Sequence, residues 1–105
     1  MATTKDYRNY LLEQLNLLDH ITCRAMMGEY LLYYEGILFG GIYQNRFLVK
    51  RGETNKAFEM PEVIPYPSAK PMYMVLSESK EEIREIVLAT VHDLAIKNAS
   101  KTKNS

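Results

Sequence analysis

The sequence predicts an α+β domain in which an antiparallel meander sheet is flanked by an N-terminal and a C-terminal helix. Three observations favour this class. Apolar residues follow a helical period near each end, the middle of the chain follows the two-residue period of strands, and short turns separate those strands. Strands bracketed by helices indicate a two-layer architecture. The chain has 105 residues, and we expect one domain over residues 1–97 and a flexible polar tail over residues 98–105.

The first helix is predicted from one apolar stripe. Its residues recur at the i, i+4, i+8, i+11 spacing of a helix face: Tyr7, Leu11, Leu15 and Leu18. Thr3 or Thr4 can cap the N-terminus, because a hydroxyl oxygen can accept a hydrogen bond from a free backbone N–H. The helix is expected to end near Asp19 and His20.

Three or four strands are predicted after this helix. In residues 21–27 apolar and polar residues alternate, and Gly28 ends that pattern. Residues 29–34 are rich in strand-forming tyrosine and leucine, and the Glu35–Gly36 pair predicts a hairpin turn.

The next strands contain an unusual glycine pair. Residues 37–43 form a strand interrupted by Gly40–Gly41, which indicates a bulge or the close approach of another backbone. Gln44–Asn45–Arg46 supplies a turn, and residues 46–50 form the strand after it.

The last third of the chain predicts a short helix, a proline-rich loop, a strand and a long helix. Residues 53–60 allow the short helix, whereas four prolines within residues 61–71 exclude a central strand there. Residues 72–76 form the strand, and Ser79 with Glu82 forms a capping box. One face of the final helix is then marked by Ile83, Ile86, Val87, Thr90, Val91 and Leu94.

Both faces of the predicted sheet are apolar, although two helices can cover only one of them. The other face needs a cover, because large exposed apolar patches mark interaction sites. A second copy of the chain, a different partner protein, or the chain's own proline loop and tail could supply it. The residues expected at such an interface are Tyr30, Leu32, Tyr34, Tyr43 and Tyr73.

Composition limits the class of protein. Thirteen basic and thirteen acidic residues balance, which disfavours a dedicated nucleic-acid binder. Cys23 is the only cysteine, and this fits a reducing compartment. The sequence contains no signal peptide and no membrane-spanning stretch, so we expect a cytoplasmic protein that makes no membrane contact.

No catalytic, metal or cofactor site is predicted. The phosphate-binding, dinucleotide-binding and nucleophile-elbow glycine motifs are all absent. Cys23 could act with His20 or His92, but a cysteine within a strand is more often an inert buried side chain. The spacing of these residues and Asp93 matches no metal-ligand template.

Basic residues at strand ends allow a second kind of surface. With nearby tyrosines they would form a weak site for single-stranded nucleic acid, while the alternative is that they block edge-to-edge aggregation. We favour the alternative. The basic positions are Arg24, Arg46, Lys50 and Arg51.

These residues together resemble the N-terminal domain of the TfoX/Sxy family. The likeness covers residues 6–94 and includes an R-x-M-x-G segment, a glycine turn, a strand ending in F-L-V-K and a P-Y-P-S-A-K-P-M loop. Met27 stands where the family has phenylalanine, and Asn45–Arg46 replaces an acidic-glycine turn. The matching positions include Arg24, Met26, Gly28, Gly36, Phe39, Lys50, Pro67, Lys70 and Pro71.

The resemblance implies a fold similar to that of secretion chaperones and a regulatory role. Namesakes of the family regulate natural competence with a cyclic-AMP receptor protein and carry a second, helical domain, for which these 105 residues show no counterpart. We therefore expect a stand-alone, non-enzymatic regulatory or protein-interaction module, which forms a homodimer and has a partner such as a transcription regulator. A nucleic-acid-associated competence regulator and a small chaperone-like dimer are the alternatives.

Overall fold

A six-stranded antiparallel sheet and two terminal helices form the protein, as the α+β prediction requires. The computed structural model describes residues 2–104, and the side chains of residues 2–97. The elements in chain order are α1 (Lys5–Gln14), β1 (Ile21–Met26), β2 (Glu29–Tyr34), β3 (Ile37–Ile42), β4 (Phe47–Val49), a 3-10 helix (Asn55–Phe58), β5 (Glu62–Val63), β6 (Met72–Met74) and α2 (Lys80–Asn104).

Helix α1 begins as predicted and ends earlier than predicted. The Thr4 hydroxyl accepts a hydrogen bond from the backbone N–H of Tyr7 at 3.1 Å, so Thr4 is the cap. The helix stops at Gln14 and does not reach Asp19 and His20. The backbone tightens there into turns that reach back three residues, for example from the Leu18 N–H to the Leu15 carbonyl at 3.1 Å. A turn can keep an apolar side chain directed at the core. The apolar residues Leu15 and Leu18 therefore still face the core although they lie beyond the end of the helix.

The strands follow the chain except at one point. Their spatial order is β1-β2-β3-β4-β6-β5, so β6 is inserted between β4 and the two-residue edge strand β5. Leu48 pairs with Met74, and Val63 pairs with Met72. The edge position of β5 agrees with the prediction that the proline-rich segment cannot be a central strand.

Glycines allow the sheet to turn and to bulge. Gly28 and Gly36 have φ of +86° and +81° in the β1–β2 and β2–β3 turns, a region that most L-residues avoid. Leu32 pairs with Gly40 while Tyr33 pairs with Leu38, which leaves Phe39 as the extra residue of a bulge.

Gly40 also lies against the neighbouring strand. A Cβ atom built on Gly40 would lie 2.2 Å from the carbonyl oxygen of Leu48 and 3.0 Å from the Cα of Val49. Of the two alternatives predicted for this glycine pair, the close backbone approach is present at Gly40, and the bulge lies one residue earlier, at Phe39.

Both helices pack on the same face of the sheet, called here the helix face. The pairing places Leu32, Ile42 and Val49 on this face. The core that they form with the helices contains Leu11, Leu15, Phe39, Phe47, Tyr73, Val75, Ile83, Ile86 and Val87. The opposite face, called here the open face, carries Leu31, Gly41 and Leu48, which the register places side by side.

The segment after β4 is held against α2 by a buried amide. Asn55 is fully buried, and its Oδ1 accepts from the backbone N–H of Gly52 at 2.9 Å. Its Nδ2 donates to the Lys50 carbonyl and to the Thr90 hydroxyl, each at 2.8 Å. The Asp93 carboxylate accepts from the Thr54 N–H at 2.9 Å, so two residues of α2 fix this segment.

Helix α2 begins with half of the predicted capping box. The Ser79 hydroxyl accepts from the Glu82 N–H at 3.2 Å, whereas the Ser79 N–H donates to the Ser77 hydroxyl and not to Glu82. The backbone of α2 continues to Asn104. The flexible tail predicted over residues 98–105 lies outside the residues whose side chains are described.

Candidate functional site

The residues predicted to form an interface do not share an exposed surface. Leu32 and Tyr73 are on the helix face and are buried in the core, where Leu32 has no exposed surface. Tyr30 and Tyr34 are half-buried against the same core. Tyr43 is also buried, so these five residues do not form one exposed tyrosine-rich surface on the chain. The helices cover the strand residues, and the chain itself covers Tyr43.

The chain's own proline loop covers part of the open face. The ring of Tyr43 folds over Gly41, since a Cβ built on Gly41 would lie 2.9 Å from a ring carbon of Tyr43. The Tyr66 ring lies beside it, with the two ring centroids 6.2 Å apart. Pro65 is buried and Leu48 has no exposed surface. Of the three covers considered above, the structure thus supplies the proline loop at this end of the face.

The four basic positions are dispersed. Arg24 is exposed on the edge strand β1, three strands away from β4. Arg46 and Arg51 lie beyond opposite ends of β4, and the Arg51 guanidinium forms an ion pair with Glu62 at 3.1 Å. Burial lowers the pKa of Lys50, and the nearby charge of Lys97 lowers it further. No continuous cationic track results among these four.

The residues that carry the family resemblance are mainly turn and packing positions. Phe39 is a buried core residue, and Met26 is half-buried at the end of β1. The loop positions Pro67 and Lys70 are exposed and Pro71 is half-buried. Gly28, Gly36 and Phe39 therefore have structural roles in this chain.

Cys23 lies half-buried on β1, on the helix face. Burial raises the pKa of its thiol, and the nearby Arg8 only partly offsets this effect. Because the thiolate is the nucleophilic form, this environment does not activate the cysteine. Within residues 2–97, no group of three or more histidine, cysteine, aspartate or glutamate side chains is arranged to hold a metal ion.

A groove lies where β6 leads into α2. Its first depression, about 290 Å³ in volume, lies between α1 and the beginning of α2. Half of its lining residues belong to the hydrophobic core or pack against it. The lining residues are Tyr7, Tyr10, Leu11, Gln14, Phe47, Val75, Leu76, Ser77, Glu78 and Ile83.

The second depression lies on the other side of Leu76. It also has a volume of about 290 Å³ and is bounded by the 3-10 helix, β6 and α2. Leu76 and Ser77 line both depressions, and 65% of the Leu76 surface is exposed. We call the two depressions and Leu76 together the Leu76 groove. The second depression is lined by Phe58, Glu59, Met60, Pro61, Met74, Leu76, Ser77, Glu82 and Ile86.

The charged residues that line the Leu76 groove are all acidic. Glu78 lines the first depression, and Glu59 and Glu82 line the second. Lys80, the nearest lysine along the chain, lines neither depression and forms an ion pair with Glu13 of α1 at 3.4 Å. The groove therefore combines an apolar floor with carboxylates.

Sequence reasoning missed this groove, although one signal for it was present. Val75 belongs to the core, so strand alternation turns the next residue, Leu76, away from it. The depressions beside Leu76 depend on how α1, the 3-10 helix and α2 are placed around β6, and no local pattern specifies that placement.

Comparison with known proteins identifies a relative of known sequence but no matching family model. None of the protein-family models matches the chain. The chain is 34% identical over 84 residues to the uncharacterized 12.7 kDa protein in the trpE 5′ region of Spirochaeta aurantia, an alignment that covers 78% of this chain and 72% of that protein. Across the described residues, neither helix has the length and apolar content needed to span a bilayer. The extent and identity of the alignment show that the chain belongs to the same family as this Spirochaeta aurantia protein.

Proposed function

We propose that this protein is a non-enzymatic regulatory module that binds another protein through the Leu76 groove. The carrying observation is a leucine that is 65% exposed between two depressions, both of which are lined in part by side chains of the hydrophobic core. Burying such a side chain in a partner contributes about 1–2 kcal/mol, so the groove is suited to binding. A likeness to the TfoX N-terminal domain and a location in the cytoplasm are part of this proposal, and the single, unpaired Cys23 supports the latter.

The shape of the groove favours a protein segment over a small molecule. Pockets for small ligands usually enclose about 300–1,000 Å³ and surround most of the ligand. Here two depressions, each at the lower end of that range, lie on either side of a protruding side chain. Such a pair accommodates two neighbouring apolar side chains of a peptide, which is how peptide-recognition grooves use their anchors.

The alternative of a nucleic-acid-associated regulator has less support from the site. Binding to a phosphate backbone needs several cations along one track. Arg24, Arg46 and Arg51 are spread over the sheet, and Arg51 is paired with Glu62. A small chaperone-like protein would bind its partners through the same Leu76 groove. It would differ from the proposed module only in the number of different proteins that it binds.

The Leu76 groove is tested by selecting peptides from a random displayed library on the purified chain. We expect the selected peptides to bind Leu76→Ser at least about fivefold more weakly than wild type, because the protruding apolar contact is lost. The matched control is Ile96→Ser, since Ile96 is similarly exposed on α2 but does not line the groove. Equal loss in both variants, or a selection that yields no peptide, would contradict the proposal.

We also propose that the protein forms a homodimer. Its interface would be smaller than the sequence predicted, because the proline loop covers part of the open face. The part of the open face that the proline loop does not bury includes Leu31, Tyr33 and Leu38, which are half-buried. The unpaired edge of β1 adjoins them. We expect sedimentation velocity to show a dimer at high micromolar concentration and a shift to monomer in Tyr33→Glu. A wild-type chain that sediments as a monomer at that concentration would remove the dimer.

A further inference from the structure

The Leu76 groove has a charge that restricts its partner. The chain as a whole is neutral, with thirteen basic and thirteen acidic residues. The groove is not neutral, because Glu59, Glu78 and Glu82 line it and no lysine or arginine does. All three glutamates are exposed at the groove. This local excess of negative charge is therefore a property of the site and not of the composition.

The internal contacts of the chain leave these three carboxylates free to bind a partner. Over the side chains of residues 2–97, none of the three accepts a hydrogen bond or forms an ion pair. By contrast, Glu13 is engaged by Lys80, and Glu62 is engaged by Arg51.

A favourable interaction with the helix dipole explains the position of only one of the three carboxylates. Glu82 lies in the first turn of α2, where the positive end of the dipole favours a carboxylate. Glu59 instead follows the last residue of the 3-10 helix, in a left-handed conformation, at an end where a carboxylate gains nothing from the dipole. Glu78 precedes α2 and makes no cap, since Ser79 is the residue that accepts from Glu82. Two of the three carboxylates thus have no role within the fold.

We propose that the Leu76 groove binds a cationic apolar peptide segment of another protein, with apolar side chains in the two depressions and lysine or arginine beside the glutamates. This inference rests on the proposed protein-interaction function and names the chemistry of the partner. The depressions provide apolar anchoring, and the carboxylates on both sides of Leu76 provide charge complementarity, which sets specificity and the association rate. An acidic or uncharged apolar segment would leave the carboxylates unpaired or repelled.

The test uses two synthetic amphipathic peptides with the same leucine positions, one with lysine and one with glutamate at every polar position. The wild-type chain is titrated with each peptide by fluorescence anisotropy. We expect the lysine peptide to bind at least about tenfold more tightly than the glutamate peptide. Raising the ionic strength from about 0.05 M to 0.5 M should weaken its binding several-fold, because the paired charges are exposed and salt screens them.

Two variants locate the effect. The triple variant Glu59→Gln, Glu78→Gln, Glu82→Gln keeps the shape of the groove and should lose about tenfold in affinity for the lysine peptide. The control variant Glu53→Gln, Glu62→Gln, Glu85→Gln removes the same number of charges elsewhere and should lose less than about twofold. Circular dichroism of each variant establishes that it is folded.

The possible results separate the two proposals. If both peptides bind equally and Leu76→Ser weakens both, the groove binds protein segments but the cationic specificity is wrong. If the control variant loses as much affinity as the groove variant, the attraction is general and the cationic specificity is again wrong. If neither peptide binds at low millimolar concentration, the cationic inference is overturned, and the library selection decides separately whether the groove binds any peptide.

Discussion

Replacing Gly40 with alanine is expected to lower the free energy of unfolding by about 3 kcal/mol. The new Cβ atom would lie 2.2 Å from the carbonyl oxygen of Leu48, an atom that belongs to the backbone of β4. No rotamer change can relieve that contact, so β3 and β4 must separate where Gly40 pairs with Val49. For a domain of this size, whose total stability is of the order of 5–10 kcal/mol, the loss is a large fraction.

Urea denaturation followed by circular dichroism measures this loss, and Gly36→Ala is the matched control. Gly36 has φ of +81° and nothing within 4 Å of a built Cβ, so alanine there meets conformational strain without a steric clash. We expect that variant to lose about 1–2 kcal/mol. A Gly40→Ala chain that is as stable as the Gly36→Ala chain would show that the strands do not approach as closely as described.

Replacing Asn55 with alanine is expected to cost about 3–4 kcal/mol. The side chain is fully buried and makes three hydrogen bonds, to Gly52, Lys50 and Thr90. Alanine leaves a backbone donor and a backbone acceptor without these partners, and it opens a cavity between the loop and α2. Each unsatisfied buried group costs about 1–3 kcal/mol, partly offset where water enters.

A graded series checks the cause of this effect. Thr90→Val removes only one of the three partners of Asn55 and should cost about 1 kcal/mol, whereas Lys56→Ala is an exposed neighbouring change that should cost less than about 0.5 kcal/mol. The order of midpoints in urea should be Lys56→Ala, Thr90→Val and Asn55→Ala, from most to least stable. An Asn55→Ala midpoint equal to that of Thr90→Val would mean that the amide does not hold the loop.

Local patterns predicted those parts of the fold that depend on neighbouring residues. The Thr4 cap, the turns at Gly28 and Gly36 and the bulge near Gly40 each follow from residues within a few positions of one another. The early end of α1 was not predictable in this way. Leu18 continues the apolar spacing of the helix, and a side chain can face the core equally well from a turn.

Contacts between segments that are distant along the chain were not predictable from the sequence patterns. The Tyr43 and Tyr66 rings lie side by side although 22 residues separate them in the chain, and periodicity does not encode such a contact. Asn55 gave no signal of burial, because asparagine is usually exposed and its partner Thr90 lies on a helix far along the chain. The Leu76 groove escaped for the same reason, since its walls come from α1, the 3-10 helix and α2.

The late insertion of β6 has a consequence for the chain as it is synthesised on the ribosome. Residues 21–49 can form β1 to β4 as soon as they emerge, because each strand pairs with the one before it. Until residues 72–74 follow, the outer side of β4 has no partner for the backbone of Leu48 and Val49, and β5 has nothing to pair with. A nascent or truncated chain ending before Met72 therefore presents a bare apolar strand edge, which is the state most open to aggregation or to capture by a chaperone.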